Sequence, residues 1–527
     1  MRLRRFRHAL PTRKSNRYHQ RMNSSALPLA KNPMHRRWLA AALALSLTLS
    51  APLIEAAPKK KAPPPTAAQD PAADQHDHLP DSVRHAFVAA RLPNHSYAVS
   101  VVPADGGPPL LAINTQTPMN PASVMKLVTT FAALDLLGPT HQWSTQFLYN
   151  RPLVDGVLDA PLYLRGNGDP KLNLENFWLM LREMRLKGLR EIRGDLVVDR
   201  RAFRLPPHDP AAFDGEPLRP YNAGADPLLI NFVSVRFLLV PDAKSKRVLA
   251  LQETPDGSVE LVNRLILADG ECGDLREKLS IKAEGTRIEL AGRYPAKCGE
   301  RPIALMPFNP NTHLDGLFRG LWTELGGQWS GKVVDGETPS DASPLAGRAS
   351  LTLAEVVRDV NKFSNNVMAR HVFLSLNERR PATYEGARER TREWLKNKGI
   401  ATQGFSIDNG SGLSRGDRIT AEQLTQMLAS AWQSPVMPEL MSSLPILGED
   451  GTLRKRGNGH TRGRAHLKTG YIDGVRALAG YVLDHQGKRW IFVGLINHAN
   501  AVKGKEGLDA LVDWVIQRPT TPVPHHP

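Results

Sequence analysis

Ser123-Val124-Met125-Lys126 sets a hydroxyl and an amine three residues apart at the head of the apolar-periodic stretch Pro121–Gly138. On a helix, residues three apart share a face, so the Lys126 amine would stand one turn from the Ser123 hydroxyl. A serine hydroxyl is a weak nucleophile until a base takes its proton, and an adjacent amine can do that. The same tetrad also arises by chance, as a helix-capping serine followed by a solvated lysine, so its meaning depends on partners elsewhere in the chain. Two further groupings qualify. Ser364-Asn365-Asn366 offers a hydroxyl and a carboxamide, and Lys468-Thr469-Gly470 offers a cation and a hydroxyl before a glycine.

The elements that carry these residues can be read from periodicity. Leu127, Phe131, Leu134 and Leu137 recur at helical spacing after Lys126, and Gly138-Pro139 is a normal helix stop. Ser364 falls between two expected helices, Leu351–Phe363 and Val367–Leu376. Lys468-Thr469-Gly470 precedes an expected strand, Ala477–Leu483, which is followed by Trp490–Asn497. Ser96–Pro103 and Pro109–Asn114 read as a hairpin joined through Ala104-Asp105-Gly106-Gly107. Tyr384–Lys398, Thr420–Gln433 and Gly507–Gln517 read as further helices. Between them lies a long region of short strand-like runs: Ser144–Tyr149, Ala160–Leu164, Gly194–Asp199, Val233–Val240, Arg247–Ala250 and Ser258–Leu267. One helix near Leu174–Lys187 interrupts it.

A chain of 527 residues with 41% apolar and 23% charged residues is globular and holds more than one domain. The formal charge is +16, but residues 1–56 hold eleven Lys/Arg against one acid, Glu55, which leaves +6 for the rest. The basic excess therefore belongs mostly to a targeting segment. With no zinc-finger spacing and no basic amphipathic helix, no nucleic-acid partner is expected. Trp38–Ile54 is uncharged, follows His35-Arg36-Arg37 and precedes Ala56-Ala57, the pattern of a secretory signal. Cleavage is expected after Ala56, with Met34 a second candidate start; an uncleaved anchor is the competing reading. Residues 57–80, rich in Pro, Ala and charge, read as a disordered linker, and 519–527 as a disordered tail. The Lys59–Lys61 run reads first as part of a solvated linker and second as a contact to an anionic surface, hence peripheral membrane association. Cys272 and Cys298 either pair in an exported protein or remain two buried thiols; neither has metal-ligand spacing.

Ser-x-x-Lys, Ser-x-Asn and Lys-Thr-Gly in this order are an established signature of β-lactamases and penicillin-binding proteins. The surrounding blocks narrow the resemblance. Leu351–Asn366 (LTLAEVVRDVNKFSNN), Asp408–Arg415 (DNGSGLSR), Leu444–Leu453 (LPILGEDGTL), Gly166–Pro170 and Gly470–Val482 resemble the D-alanyl-D-alanine carboxypeptidase/endopeptidase family. These are the class C low-molecular-mass penicillin-binding proteins of the penicillin-binding protein 4 type. The likeness covers roughly residues 85–518. The separations of 241 residues from Ser123 to Ser364 and 104 from Ser364 to Lys468 fit a large insertion after the serine helix.

The resemblance implies an α+β fold: a β-lactamase/transpeptidase-like catalytic domain from residues 81–143 and 346–518, with a mainly antiparallel sheet and a helical cluster. Residues 144–345 would be a mainly β insertion of two modules. It implies a periplasmic serine DD-peptidase acting on peptidoglycan stem peptides and acylated by β-lactams, with no cofactor and no metal. Ser123 would attack the D-alanyl carbonyl and Lys126, if neutral, would take its proton, with Lys468 the cation best placed to keep it neutral. Ser364 would pass the proton to the leaving amine, and Asn366 would bond Lys126 and the substrate amide. Lys468 and Thr469 would hold the peptide carboxylate. The backbone N–H groups of Ser123 and of Tyr471, after Gly470, would hold the oxyanion.

Three positions depart from the family. Tyr471 stands where Ser or Thr is usual, Asn365 where Asp is usual, and Arg370 where Glu is usual. Gly410-Ser411-Gly412 reads as a turn beside the site rather than a nucleophile motif. His371 and His466 lie near motifs but are not needed as bases. Asp214 and Glu216 in the insertion could meet the amine of a diamino acid in the stem; solvated loop acids are the alternative. A β-lactamase and a non-catalytic wall-binding scaffold are the rival readings, and the oligomeric state is left open.

Overall fold

A computed structural model of the chain describes residues 78–518 apart from Asn458. The signal-like segment, its cleavage site, residues 57–77 of the expected linker and the tail 519–527 lie outside the described residues.

Two parts of the chain that are far apart in sequence build one antiparallel sheet. Its strands run in the order Ala465–Ile472, Val475–Leu483, Arg489–Asn497, Tyr97–Pro103, Leu111–Ile113. The second and third are almost continuously buried, as expected of strands covered on both faces. Side chains alternate between two cores with the period of two that a strand imposes. Val99, Val101, Leu478, Val482 and Phe492 face helices Asp81–Ala89 and Lys505–Gln517. Ala98, Ala477, Ala479, Tyr481 and Val493 face the helical cluster.

The centre of that cluster is helix Lys126–Leu137. Its first nine residues, Lys126 to Leu134, are all buried, so it has no solvated face. Helices Leu353–Lys362, Asn366–Ser375, Tyr384–Asn397, Ala421–Trp432 and Met437–Ser443 surround it. Capping boxes fix two of their starts, Thr352 with Glu355 and Thr420 with Gln423. Trp394 meets Phe131 edge-on at 5.1 Å and donates its indole N–H to Asp135 at 2.8 Å, which fastens one flank of the central helix.

The sequence between these parts forms further sheets. A five-stranded mixed sheet runs Val333–Asp335, Leu196–Asp199, Leu162–Gly166, Ser144–Tyr149, Ser343–Ala349. Helices Leu174–Leu186 and Pro310–Glu324 share its core, with Phe147, Phe177 and Phe318 at the centre. A six-stranded sheet over Val235–Leu305 has a separate core around Phe237, Leu239, Ile288, Leu290 and Tyr294. Cys272 and Cys298 are bonded to each other beside it.

Several elements were not anticipated. Helix Pro310–Glu324 carries a legible start, with Asn309 accepting from the Thr312 amide at 2.9 Å and Pro310 at the first helical position. Helices Asp81–Ala89 and Met437–Ser443 and the strands from Leu279 to Leu305 were also unread. The stretch expected as one helix from Pro121 is a 3-10 turn, Ala122–Met125, followed by the α-helix. Lys468-Thr469-Gly470 precedes the strand Val475–Leu483 as expected, and also lies inside a strand of its own, Ala465–Ile472, which was not anticipated.

Candidate active site

The serine turn is held by groups from three distant segments. Ala122 has φ +46°, a left-handed conformation uncommon for alanine. Its amide donates to the Asn120 side-chain oxygen at 2.8 Å, and the Asn120 side-chain nitrogen donates to the Ser414 carbonyl at 2.8 Å. Asn497, at the end of a sheet strand, receives the Asn120 amide at 2.7 Å and donates back to the Asn120 carbonyl at 2.9 Å. The Lys-Thr-Gly strand passes so close that a Cβ on Gly470 would sit 2.4 Å from the Pro121 carbonyl oxygen. The glycine at that position is therefore a steric requirement of the close approach.

Lys126 is fully buried. Its amine contacts the Ser123 hydroxyl at 2.9 Å, the Asn366 side-chain oxygen at 2.7 Å and the Ser411 carbonyl. Two of these partners are carbonyl oxygens, which only accept. A neutral amine would give them its two N–H bonds and be left with its lone pair facing the Ser123 hydroxyl. Burial first, then the Lys468 and Arg370 cations, hold Lys126 well below the usual lysine range; Asp417 acts the other way. Lys468 thus contributes as the sequence suggests, but behind desolvation.

Ser364 sits between two helices with φ +56°. Its hydroxyl accepts from Lys468 at 2.9 Å. Lys468 is fully buried, also donates to the Thr469 carbonyl at 2.8 Å, and is brought down to about 7 by burial. Asn365 caps the next helix, its side chain accepting from the Met368 amide at 3.0 Å. Asn and Asp serve about equally as caps, which accounts for that departure. Arg370 lies one turn beyond Asn366, buried, with its guanidinium donating to the Ala223 carbonyl.

The arrangement joins Ser123, Lys126 and Asn366 by direct hydrogen bonds, Ser364 to Lys468, and Gly470 to the serine turn. Thr469 turns its hydroxyl to Thr452 at 2.8 Å. The Tyr471 ring is 64% exposed, with the Arg476 guanidinium 3.6 Å from its centroid. The two residues are cross-strand partners, so the ring is tied to its own hairpin. A half-buried hydroxyl with its buried base, a second hydroxyl with a second amine, and flanking amides are equipped for nucleophilic acyl transfer.

Other candidates have different partners. Both His371 ring nitrogens meet backbone carbonyls, of Val367 at 2.8 Å and Asp226 at 2.9 Å, and His466 meets the Met441 carbonyl at 3.2 Å. Asp214 accepts from Tyr221 and Asn222, each at 2.8 Å, and Glu216 pairs with Arg219 at 3.2 Å, so both acids bond within their own loop. That loop reaches the site through Phe213, which packs beside Ala122, Ile472 and Val475. The Gly410–Gly412 turn lies against the serine turn, Gly412 closest to Ala122. Sequence reasoning missed Asn120, Asn497, the Ser411 carbonyl and Asp417; none has a motif of its own. Among the described residues no cluster of His, Cys, Asp and Glu could hold a metal ion.

The profile of the D-Ala-D-Ala carboxypeptidase 3 (S13) family matches residues 80–518. A D-alanyl-D-alanine carboxypeptidase from an Actinomadura species is 31% identical over 405 residues, 73% of each chain. Penicillin binding protein 4 from Haemophilus influenzae superposes with a TM-score of 0.68 at 23% identity, over 82% of this chain and 99% of that one. A second structure of that protein, complexed with a β-lactam, gives 0.66 at 22% identity over 84% and 100%.

Proposed function

The chain belongs to the D-Ala-D-Ala carboxypeptidase 3 (S13) family, and we propose that it is an exported, periplasmic serine DD-peptidase. It removes the terminal D-alanine of peptidoglycan stem peptides and cuts D-alanyl cross-links through an acyl-enzyme on Ser123. The observation that carries this reading is the Lys126 amine, aimed at the Ser123 hydroxyl by two carbonyl acceptors. Residues 81–143 and 346–518 form the catalytic part and 144–345 the insertion.

The steps follow from the contacts. Lys126 takes the Ser123 proton as the hydroxyl oxygen bonds to the D-alanyl carbonyl carbon. The oxyanion is received by the backbone N–H groups of Ser123 and Tyr471. Asn366 bonds the substrate amide as well as Lys126. Lys468 and Thr469 hold the carboxylate of the leaving residue, which registers the scissile bond over Ser123. The C–N bond breaks as the leaving amine takes the proton that Lys126 removed from Ser123, relayed through the Ser364 hydroxyl, which itself accepts from Lys468 at 2.9 Å. Water then attacks the ester carbonyl, gives a proton to the site and frees the Ser123 hydroxyl. β-Lactams enter the same first step, and their ring-opened acyl group remains on the serine.

Intact mass after incubation with penicillin tests the reading. A single penicilloyl adduct on the wild type and none on Ser123→Ala is expected. No adduct on either, or equal adducts on both, refutes it, and rapid loss of the adduct assigns the chain to β-lactam hydrolysis instead. Digestion of cross-linked muropeptides separates endopeptidase from carboxypeptidase cleavage.

A further inference from the structure

Asp417 is an acid that the proposed reaction does not use, yet it stands behind the base. It is fully buried; one carboxylate oxygen accepts the Asp408 amide at 2.7 Å, and the other has no hydrogen-bond partner. The Asp408–Asp417 contact closes a loop that touches the segment before the serine and the first turn of the helix after it. The Gly410 carbonyl accepts from Thr129 at 2.7 Å, the Ser411 carbonyl from Lys126, and the Ser414 carbonyl from Asn120. Just outside, Ser406 and Arg418 exchange two backbone hydrogen bonds of 2.9 Å, so the loop's two ends are pinned together.

We propose that Asp417 is a positioning residue for Lys126: its carboxyl group closes the loop that sets the Ser411 carbonyl against the amine, and its negative charge sustains the basicity of that amine. Lys126 otherwise faces only burial and two cations, Lys468 and Arg370. Those alone would keep it neutral but make it a feeble proton acceptor, whereas a base works best when its pKa lies near the working pH. Among the described residues, Asp417 is the acid that acts on the amine against these effects. Asp417 in turn faces Asp408, Lys126 and Arg388; Arg388 clamps Asp408 through its carbonyl at 2.9 Å and its carboxylate at 2.7 Å. Burial brings Asp417 up to about 7, so its charge is only partly held at neutral pH and the two groups titrate together.

The inference rests on Lys126 being the base of the proposed peptidase. The test is the pH dependence of acylation by a chromogenic cephalosporin. Asp417→Asn keeps an oxygen to accept the Asp408 amide but removes the charge. Its acid limb is expected to move to lower pH by roughly half to one unit, with a plateau rate several-fold lower because the base is weaker. Arg370→Gln removes a cation facing the same amine and is expected to move the limb to higher pH. A purely structural role for Asp417 would lower the rate without moving the limb. A limb that stays in place or rises in Asp417→Asn overturns the proposal, as does one that fails to rise in Arg370→Gln. Failure of the peptidase reading looks different: the wild type itself would show no acylation.

Discussion

Gly412 offers a direct measure of how closely the catalytic turn must be held. It has φ +74°, and a Cβ built on it lies 2.0 Å from the Ala122 carbonyl oxygen, 2.5 Å from the carbonyl carbon and 2.9 Å from the Ser123 Cα. The neighbours are backbone, so no side chain can swing aside. Reaching an ordinary contact distance requires the loop and the serine turn to part by roughly 1–1.5 Å. In Gly412→Ala the left-handed conformation costs about 1–2 kcal/mol, and the overpacking about 1–3 kcal/mol more. The larger effect falls on chemistry, because the displaced pieces carry Ser123 and the Ser411 carbonyl that orients Lys126; a misplacement of about 1 Å costs on the order of 10²-fold in rate. Gly463→Ala is the control. Gly463 has φ +78° but nothing within 4 Å of its Cβ position, so it carries the conformational cost alone, about 1–2 kcal/mol. Stopped-flow acylation by a chromogenic cephalosporin, with thermal melts of both variants, gives the comparison. Slow acylation in Gly412→Ala with wild-type acylation in Gly463→Ala is expected. Wild-type acylation in Gly412→Ala would show that the serine turn need not be fixed by this loop.

Lys468, at about 7, must be charged to hold a carboxylate, so kcat/KM for peptides ending in a free carboxylate should fall as pH rises above about 7. Peptides ending in an amide should lack that basic limb, and equal profiles would remove Lys468 from the carboxylate site. The same shift has a sign for stability. Between about pH 7 and the unfolded lysine value the unfolded chain binds the extra proton, so Lys468 makes stability rise with pH there, a trend that Lys468→Met should flatten in denaturant titrations. Replacing Cys272 and Cys298 together by serine removes a bridge of sequence separation 26 and should cost roughly 3 kcal/mol in the chain-entropy estimate. Because the bridge lies beside the six-stranded sheet, acylation of Ser123 should be unchanged; a lost adduct would show that sheet to support the site. Asn365→Asp should change stability by no more than about 0.5 kcal/mol and Asn365→Ala should cost about 1 kcal/mol, since only the latter removes the cap on the Met368 amide.

What could be read from the sequence was what local chemistry dictates. Ser123 and Lys126 sit one turn apart because residues three apart share a face on a 3-10 turn as they nearly do on an α-helix, so the reading survives the turn being 3-10. Gly138 acts within a few residues of itself and was legible for that reason. The hairpin over Tyr97–Ile113 follows the same rule. Groups outside the three motifs whose role depends on residues hundreds of positions away left no trace. Asn120 meets Asn497 across a separation of 377, and Lys126 meets the Ser411 carbonyl across 285. A backbone carbonyl has no side-chain identity to read at all. The strands beyond Leu279 were missed for another reason. In Leu279–Glu284 half-buried apolar and exposed polar positions do alternate, but no position is fully buried, so the run carries little of the apolar weight that marked the other strands.

The departures from the family sort by which atom the chemistry needs. At Asn365 the useful group is a side-chain oxygen at a helix start, and Asn supplies it as Asp does. At Tyr471 the needed group is the backbone N–H, which every residue but proline has, while the ring is held against Arg476 on its own hairpin. Neither change disturbs the geometry around Ser123. Arg370 is different, because what changes there is charge in a place without water. A buried guanidinium one turn behind Asn366 acts on the Lys126 amine through space whatever its hydrogen bonds do. An acid at that position would favour the ammonium form; the arginine favours the free amine, and Asp417 then restrains how far the balance tips. The protonation of the base is thus set by burial and Lys468 and adjusted by charges outside the three motifs, and variants at 370 and 417 should shift the pH at which Ser123 becomes reactive while its hydrogen-bonded partners stay the same.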